Sequence, residues 1–367
     1  MPRENHVRRI DLRNGSLDFP VFLPDATRAV VRGVGSDDLA ACGVTGLVMS
    51  TFHLMQHPGS SVVAGHGGLH RFAGWDRPII TDSGGFQVYS LVHENPKYGS
   101  LSEKGMVFRT DDGTKYNLTP EKSIQLQLSY ASDVVYCLDD CTHPDADDSA
   151  QIDSVRRTIK WAKRCREVFD QIVDGKRMAE LDRPRLFAVV QGGAVPALRK
   201  QCAEALLDIG FDGYGFGGFP IDGERRLLED MFAYLRELIP AEYPLHALGV
   251  GHPAHVKTCA DLGYAIFDSA LPTRDARRGR LYRFTGDPGA AGADWFEFIY
   301  LEDGRHTRTS DPISDRCDCT TCARYSVAYL RHLYEIEDAL YIRLATVHNL
   351  RFMIRLMEHL RTRVTDG

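Results

Sequence analysis

Several apolar runs in this chain end on residues that can do chemistry. They are Thr81-Asp82-Ser83-Gly84-Gly85, Leu138-Asp139-Asp140, Val190-Gln191-Gly192-Gly193, Phe216-Gly217-Gly218 and Phe267-Asp268. A single Asp after a strand is ordinarily a cap or turn residue. Repeated through one chain, with paired glycines that let a ligand approach the backbone, the pattern points to one shared site. Two neighbouring carboxylates suit a double displacement at a sugar carbon. One attacks the anomeric centre; the other protonates the leaving group and later takes a proton from its replacement. A third carboxylate beside an amide suits a purine edge, because Asp accepts from N–H donors while Gln or backbone N–H groups donate to a carbonyl.

A second cluster is Cys317-Asp318-Cys319-Thr320-Thr321-Cys322. Three thiolates with one imidazole form the ligand set of a closed, structural zinc site, and either His348 or His332 can supply the imidazole. Such a site leaves no open position for a catalytic water. A third feature is basic: Arg274, Arg277, Arg278, Arg280 and Arg283 follow Asp268, interrupted by Asp275 and interleaved with Tyr282. A charge run is usually a solvated face, but beside an active mouth Arg suits bidentate contact with phosphate. Arg343, Arg351, Arg355, Arg361 and Arg363 extend the basic surface, so a polymer lying from the mouth onto the C-terminal part accounts for both groups.

The elements that must position these residues alternate regularly. Short apolar runs at Phe19–Leu23, Gly46–Thr51, Pro78–Asp82, Asp133–Asp139, Arg185–Gln191, Gly213–Gly217, Leu245–Val250 and Tyr264–Asp268 read as parallel strands buried on both faces. Amphipathic stretches separate them, with helix starts at Ser36, at Thr119-Pro120 and before Ile152–Phe169. Eight strands alternating with helices predict a (β/α)8 TIM barrel, whose strand carboxyl ends share the active face. Residues 83–118 are too long for a plain connector and read as a functional loop or small hairpin. Residues 274–312 read as loop-rich, followed by helices near 323–337 and 338–362. The expected division is a barrel over 1–273 and a zinc-binding, polymer-contacting subdomain over 274–367 that completes it.

The bulk numbers agree. A 367-residue chain with 43% hydrophobic and 26% charged residues can bury a large core. A net charge of −6 argues against non-specific coating of nucleic acid while leaving room for a basic patch. Nine mostly scattered cysteines, with no apolar run of membrane-spanning length and no secretory start, point to the cytoplasm.

Taken together, these residues resemble the tRNA-guanine transglycosylase family from about Phe19 to Phe352. The specific pieces are Thr81-Asp-Ser-Gly-Gly-Phe-Gln87, Val190-Gln-Gly-Gly193, Phe267-Asp-Ser-Ala-Leu-Pro-Thr-Arg274, the cysteine cluster and Ala345-Thr-Val-His-Asn349. The resemblance implies exchange of a guanine in tRNA for a 7-deazaguanine, with no ATP or redox cofactor, by a zinc-containing homodimer. It implies that Asp268 attacks ribose C1′ and that Asp82 is the general acid/base. Ser83, Asp139, Gln191 and the Gly217-Gly218 backbone resemble the base pocket, Arg274 and Arg277 the contacts to flanking nucleotides, and Cys317, Cys319, Cys322 and His348 the zinc ligands. Phe219 is expected to turn its carbonyl toward the 7-substituent.

This chain also departs from the family. Ser50-Thr51-Phe52-His53 stands where Asn-Thr-Tyr-His is common, and the first strand ends in Leu23-Pro-Asp-Ala-Thr27. Phe219-Pro-Ile-Asp-Gly-Glu224 is one residue longer than the usual segment. There Asp222 is expected either to approach the substituent, favouring a cationic aminomethyl group over a cyano group or queuine, or to cap a helix starting near Glu224. Cys141 resembles bacterial members and favours a small substituent. Two other readings are a relative acting on DNA, against which the zinc appendage and basic run argue, and a non-catalytic RNA-binding partner subunit, against which the presence of both Asp82 and Asp268 argues.

Overall fold

The computed structural model describes residues 6–110, 113–143, 146–288 and 294–365. All eight expected strands are present: β1 (Val21–Pro24), β2 (Leu47–Met49), β3 (Ile79–Thr81), β4 (Val134–Tyr136), β5 (Arg185–Val190), β6 (Gly213–Phe216), β7 (Leu245–Ala247) and β8 (Ile266–Ser269). They form one sheet in the order β1-β8-β7-β6-β5-β4-β3-β2. A parallel bridge between Asp25 and Val48 then joins the two edges, and the Ala26 N–H donates to the Val48 carbonyl at 2.7 Å. The sheet is therefore a barrel, and the strands are short because each needs only to cross its wall.

Inside the barrel, Val21, Leu23, Val48, Ile80, Val134, Tyr136, Phe187 and Val189 pack together with Leu12 and Leu17. The last two belong to an antiparallel hairpin, Arg9–Leu12 with Gly15–Asp18, that stoppers the amino-terminal end of the barrel. It was not anticipated from the sequence. Asn14 fastens it, donating from its backbone N and Nδ2 to Asp133 Oδ1 at 3.1 and 2.9 Å. With one end sealed, a ligand reaches the interior only at the carboxyl ends of the strands.

The local signals explain the helices. Thr119 caps Pro120–Ser129, its hydroxyl accepting from Lys122 N at 3.2 Å. Asp147 caps a helix running Asp148–Gly175, longer than the apolar period suggested. Helix Ser36–Ala41 starts at the Ser36-Asp-Asp signal, with Gly35 at the cap position. The 83–118 excursion is more than a loop or hairpin. It is a helix, Gly85–Glu94, followed by a three-stranded antiparallel sheet of Gly99–Ser102, Gly105–Arg109 and Lys115–Leu118.

Past Asp268 the loop-rich reading of 274–312 needs correction. Helix Leu271–Arg277 leads into an antiparallel pair, Arg280–Phe284 with Phe296–Tyr300. Three helices follow: Thr320–Arg324, Val327–Glu335 and Ala339–Thr365. The last lies against the barrel, where Arg343 pairs with Asp38 at 2.7 Å and Arg361 Nη1 donates to the Pro20 carbonyl at 2.8 Å.

Candidate active site and metal centre

The barrel mouth opens into a cavity of about 370 Å³ lined by residues from seven of the eight sequence-read strand ends. Asp82, Ser83, Asp139, Gln191, Gly217, Gly218, Phe219 and Asp268 all line it. Asp82, directly after β3, is held by three donors. Thr51 N and Gly84 N donate to its Oδ1 at 2.8 and 3.0 Å, and Gln87 Nε2 donates to Oδ2 at 2.8 Å. Burial nevertheless dominates and pushes its carboxyl up from 3.8 to about 7. Asp82 is thus poised to give and take a proton near neutrality.

Asp268 lies across the mouth with a side chain 16% exposed. Its Oδ1 accepts from Gly249 N and from His246 Nε2, both at 2.9 Å. Its Oδ2 has no hydrogen-bond partner among the described residues. One oxygen is anchored and the other is left unpaired.

The deeper wall suits a purine. Gln191 Nε2 donates to Asp139 Oδ2 at 2.7 Å, and Ser83 Oγ donates to Asp139 Oδ1 at 3.3 Å. Burial pushes Asp139 up to about 6. Gln191 Oε1 is buried without a partner among the described residues, in a side chain that lines the cavity, where a ligand N–H can meet it. Gly217 has to be glycine, since a Cβ there would lie 2.7 Å from the Gln191 side chain. Gly218 has φ +86°, a conformation L side chains rarely adopt. Phe86 and Phe219 flank the opening with ring centroids 5.7 Å apart.

Several contributors were missed in the sequence. Arg199, fully buried, donates to the carbonyls of Val190, Gly193 and Gly217 at 2.6, 2.9 and 2.8 Å, tying the β5 and β6 ends together. Asp25 adds a carboxylate to the same cavity, anchored by Thr27 N at 2.7 Å. Burial, and then the charge of Asp268, push it up. Ser50, where the family commonly has Asn, is buried in the same cavity wall, and its hydroxyl bears on the Asp82 carboxyl and opposes the upward push of burial.

The basic run divides. Arg280 pairs with Asp275 at 2.5 Å and Arg283 pairs with Glu297, so both are occupied within the fold. Arg274 and Arg278 are exposed, and Arg277 is half-buried with Nη1 unpartnered. Burial and the surrounding Arg32, Arg274 and Arg278 push the Arg277 pKa down, which marks an unneutralised positive patch beside Asp25. The C-terminal arginines do not extend this patch. Arg343 is taken by Asp38, Arg351 by Asp318 and Glu358, Arg355 by the Arg316 carbonyl and Arg361 by the Pro20 carbonyl. The side chain of Arg363 lies outside the described residues.

Asp222 is corrected on both counts. It does not line the cavity, and it caps no helix, because the next helix starts at Glu229. Its Oδ1 accepts from Glu224 N and Arg226 N at 2.9 Å and its Oδ2 pairs with Arg226 Nε at 2.9 Å, closing its own turn.

The cysteines meet His348, not His332. The donor atoms of Cys317, Cys319, Cys322 and His348 lie within 4.8 Å of one another. His348 Nδ1 faces the sulfurs, 3.2 Å from Cys322 Sγ, while Nε2 donates to the Tyr282 carbonyl at 2.6 Å. That bond fixes which nitrogen is free to ligate, as an outer-shell partner does in metal sites. Three soft donors and an oriented imidazole fit a closed tetrahedral ion.

Comparison with known proteins agrees with this geometry. The family model described as Queuine tRNA-ribosyltransferase matches residues 4–367. A queuine tRNA-ribosyltransferase of Caldanaerobacter subterraneus subsp. tengcongensis is 37% identical over 353 residues, 96% of this chain and 88% of the relative. Those of Shewanella halifaxensis and Novosphingobium aromaticivorans are each 38% identical over 362 residues, covering 98% of this chain and 89% and 91% of theirs. The matched length includes both the carboxylate-lined barrel mouth and the cysteine–histidine cluster, and the chain belongs to the queuine tRNA-ribosyltransferase family of tRNA-guanine transglycosylase enzymes.

Proposed function

We propose that this enzyme exchanges a guanine at the anticodon wobble position of tRNA for a 7-deazaguanine by double displacement. Asp268 Oδ2 attacks C1′ as the C1′–N9 bond breaks, and protonated Asp82 gives its proton to the departing guanine. The Asp82 carboxylate then takes the N9 proton of the incoming base, whose N9 attacks C1′ and releases Asp268. The observation that carries this reading is the facing pair itself: one carboxyl raised to about 7 and another with a single anchored oxygen, in one cavity. Labelled-guanine exchange on bulk tRNA and on duplex DNA, with Asp268→Asn alongside, tests it. Exchange into tRNA that vanishes in the variant is expected; exchange into DNA alone, or undiminished turnover in the variant, overturns it.

Arg274 and Arg277 hold the phosphates of the flanking nucleotides, and the ion at Cys317, Cys319, Cys322 and His348 is a structural zinc. On this reading residues 1–273 supply the catalytic face, and 274–367 are an RNA-contacting subdomain that completes the barrel. Two copies pair in the cytoplasm; the exposed Tyr329, stacked on Tyr325 at 5.4 Å, supports a partner surface there. Among the described residues no helix is long and apolar enough to cross a membrane.

The incoming base is a 7-deazaguanine with a small substituent such as aminomethyl. Asp222 no longer supports that choice. The support is the aromatic wall of Phe86 and Phe219, with His143 packed on Phe219 at 5.6 Å, whose ring faces attract a cation. Competition of the aminomethyl base, the cyano base and queuine against labelled guanine decides it, and preference for queuine overturns it.

A further inference from the structure

We propose that His246 and Tyr136 form a positioning relay behind Asp268 that presents one carboxylate oxygen to the sugar carbon. The inference rests on Asp268 being the nucleophile. His246 is the middle residue of β7 and wholly buried. Its neighbours Leu245 and Ala247 pack outward into the shell of helices, while its own ring turns into the cavity. β7 pairs with β8 so that His246 lies beside Ile266, two residues before Asp268, which sets the imidazole one layer below the carboxylate. Tyr136 ends β4, three strands away around the ring, and reaches His246 through the interior. Its hydroxyl lies 2.6 Å from His246 Nδ1, and His246 Nε2 lies 2.9 Å from Asp268 Oδ1.

The hydrogens follow from what each atom can do. A carboxylate only accepts, so Nε2 carries the hydrogen of that bond. The Tyr136 hydroxyl has no other partner among the described residues, so its hydrogen goes to Nδ1. The bonds so assigned make Nε2 the donor to Asp268 and Nδ1 the acceptor from Tyr136. Tyr136 is itself anchored: its N–H donates to Gln127 Oε1 at 2.7 Å, its carbonyl accepts from Gln127 Nε2 at 2.8 Å, and its ring packs on Phe187. Together with the Gly249 N–H, the relay saturates Asp268 Oδ1. The carboxylate cannot turn without breaking two bonds, and Oδ2 is the oxygen left for C1′. When the base is replaced, the same donors receive the charge that returns to Asp268 as it leaves.

The test compares guanine exchange into tRNA by the wild-type enzyme and by Tyr136→Phe, His246→Leu and His246→Gln, with Asp268→Asn as reference. Losing a hydrogen bond to a charged group lowers kcat about 10- to 100-fold. That fall is expected in His246→Leu, and a smaller one of about 2- to 10-fold in Tyr136→Phe, where the bond lost is to the imidazole and not to the carboxylate, with KM for tRNA unchanged in both. His246→Gln is expected to recover most of it, because its amide donates from Nε2 and accepts from the Tyr136 hydroxyl. Tyr136→Phe keeps the buried ring, so it carries the test should His246→Leu misfold. Wild-type kcat in Tyr136→Phe, a Gln variant no better than Leu, or a rise in KM in place of the fall in kcat overturns the relay alone. Equal activity of wild type and Asp268→Asn overturns the nucleophile assignment and the relay with it.

Discussion

Asp82 and Asp268 are the same side chain in different surroundings, and the surroundings support the different roles proposed for them. Asp82 is recessed, with every donor pointing at it and its carboxyl still raised to about 7; Asp268 keeps one oxygen free at the mouth. A general acid must be protonated, so guanine release in a single turnover is expected to slow as pH rises through about 7. Asp82→Asn is expected to slow exchange about 10²–10⁴-fold, and a pH-independent release step in the wild type counts against the assignment. The same shift bears on stability. A carboxyl raised from 3.8 to about 7 costs nothing while it is protonated in both folded and unfolded chains, and the cost grows as pH climbs through that window. Asp82→Asn is therefore expected to melt higher than wild type at pH 8, with the difference shrinking toward pH 4. Gln87 Oε1, now buried and unpartnered, can turn to accept from the new amide. Equal melting temperatures at pH 8 contradict this.

At the scale of elements, the proposed base pocket depends on two strand ends that Arg199 ties together. Its three carbonyl bonds hold Val190, Gly193 and Gly217 in place, and its guanidinium lies 4.0 Å from the Phe216 ring centroid. Each buried carbonyl left unsatisfied costs about 1–3 kcal/mol. Arg199→Leu is expected to lower the denaturant midpoint and to raise KM for guanine, because Gly217 and Gly218 lose their support. An unchanged KM in a folded variant means the glycine turn holds itself. The cysteine–histidine cluster links elements in the same way. His348 reaches Tyr282, and the next residue, Asn349, donates to the carbonyls of Pro272 and Arg280 at 3.0 Å. The cluster thus braces the segment that carries Arg274 and Arg277. Metal analysis is expected to find one zinc per chain, and a chelator is expected to open the C-terminal helices to proteolysis before the barrel melts. Protein purified without chelator and free of metal refutes this.

At the scale of the whole molecule, a net charge of −6 coexists with a positive patch at one mouth. Arg28, Arg32, Arg274 and Arg278 have no carboxylate partner among the described residues, whereas the arginines of the C-terminal helix are largely spent on holding that helix to the barrel. RNA affinity is therefore expected to fall with salt through a few contacts. The slope of log K against log salt is expected to shrink by about 0.7 for each of Arg274→Ala and Arg277→Ala, read from tRNA binding at several salt concentrations. Arg343→Ala is expected to weaken stability while leaving that slope alone, and a matching change in slope places the polymer across the C-terminal helix after all.

The sequence by itself determined the barrel and much of its mouth. Strands buried on both faces must be continuously apolar, so all eight were visible, and polar residues become possible where each apolar run ends. Asp82 and Gln191 directly past their strands, Asp139 three residues past β4 and Asp268 near the end of β8 were legible for that reason, and the cysteines for their closeness. Tyr136 was not, because in Val134-Val135-Tyr136 it reads as one more core residue, and its partner His246 lies far along the chain. Arg199 looked like any helical arginine until three carbonyls closed around it. Asp222 was locally free either to cap a helix or to reach a ligand, and the loop turned it to Arg226. The N-terminal hairpin and the pair after Arg280 were also missed, being too short for their alternation to stand out. Periodicity records whether a residue is buried, which is a property of one segment. Which buried polar group meets which depends on how the strand ends are ordered around a closed ring, and only the tertiary structure decided that.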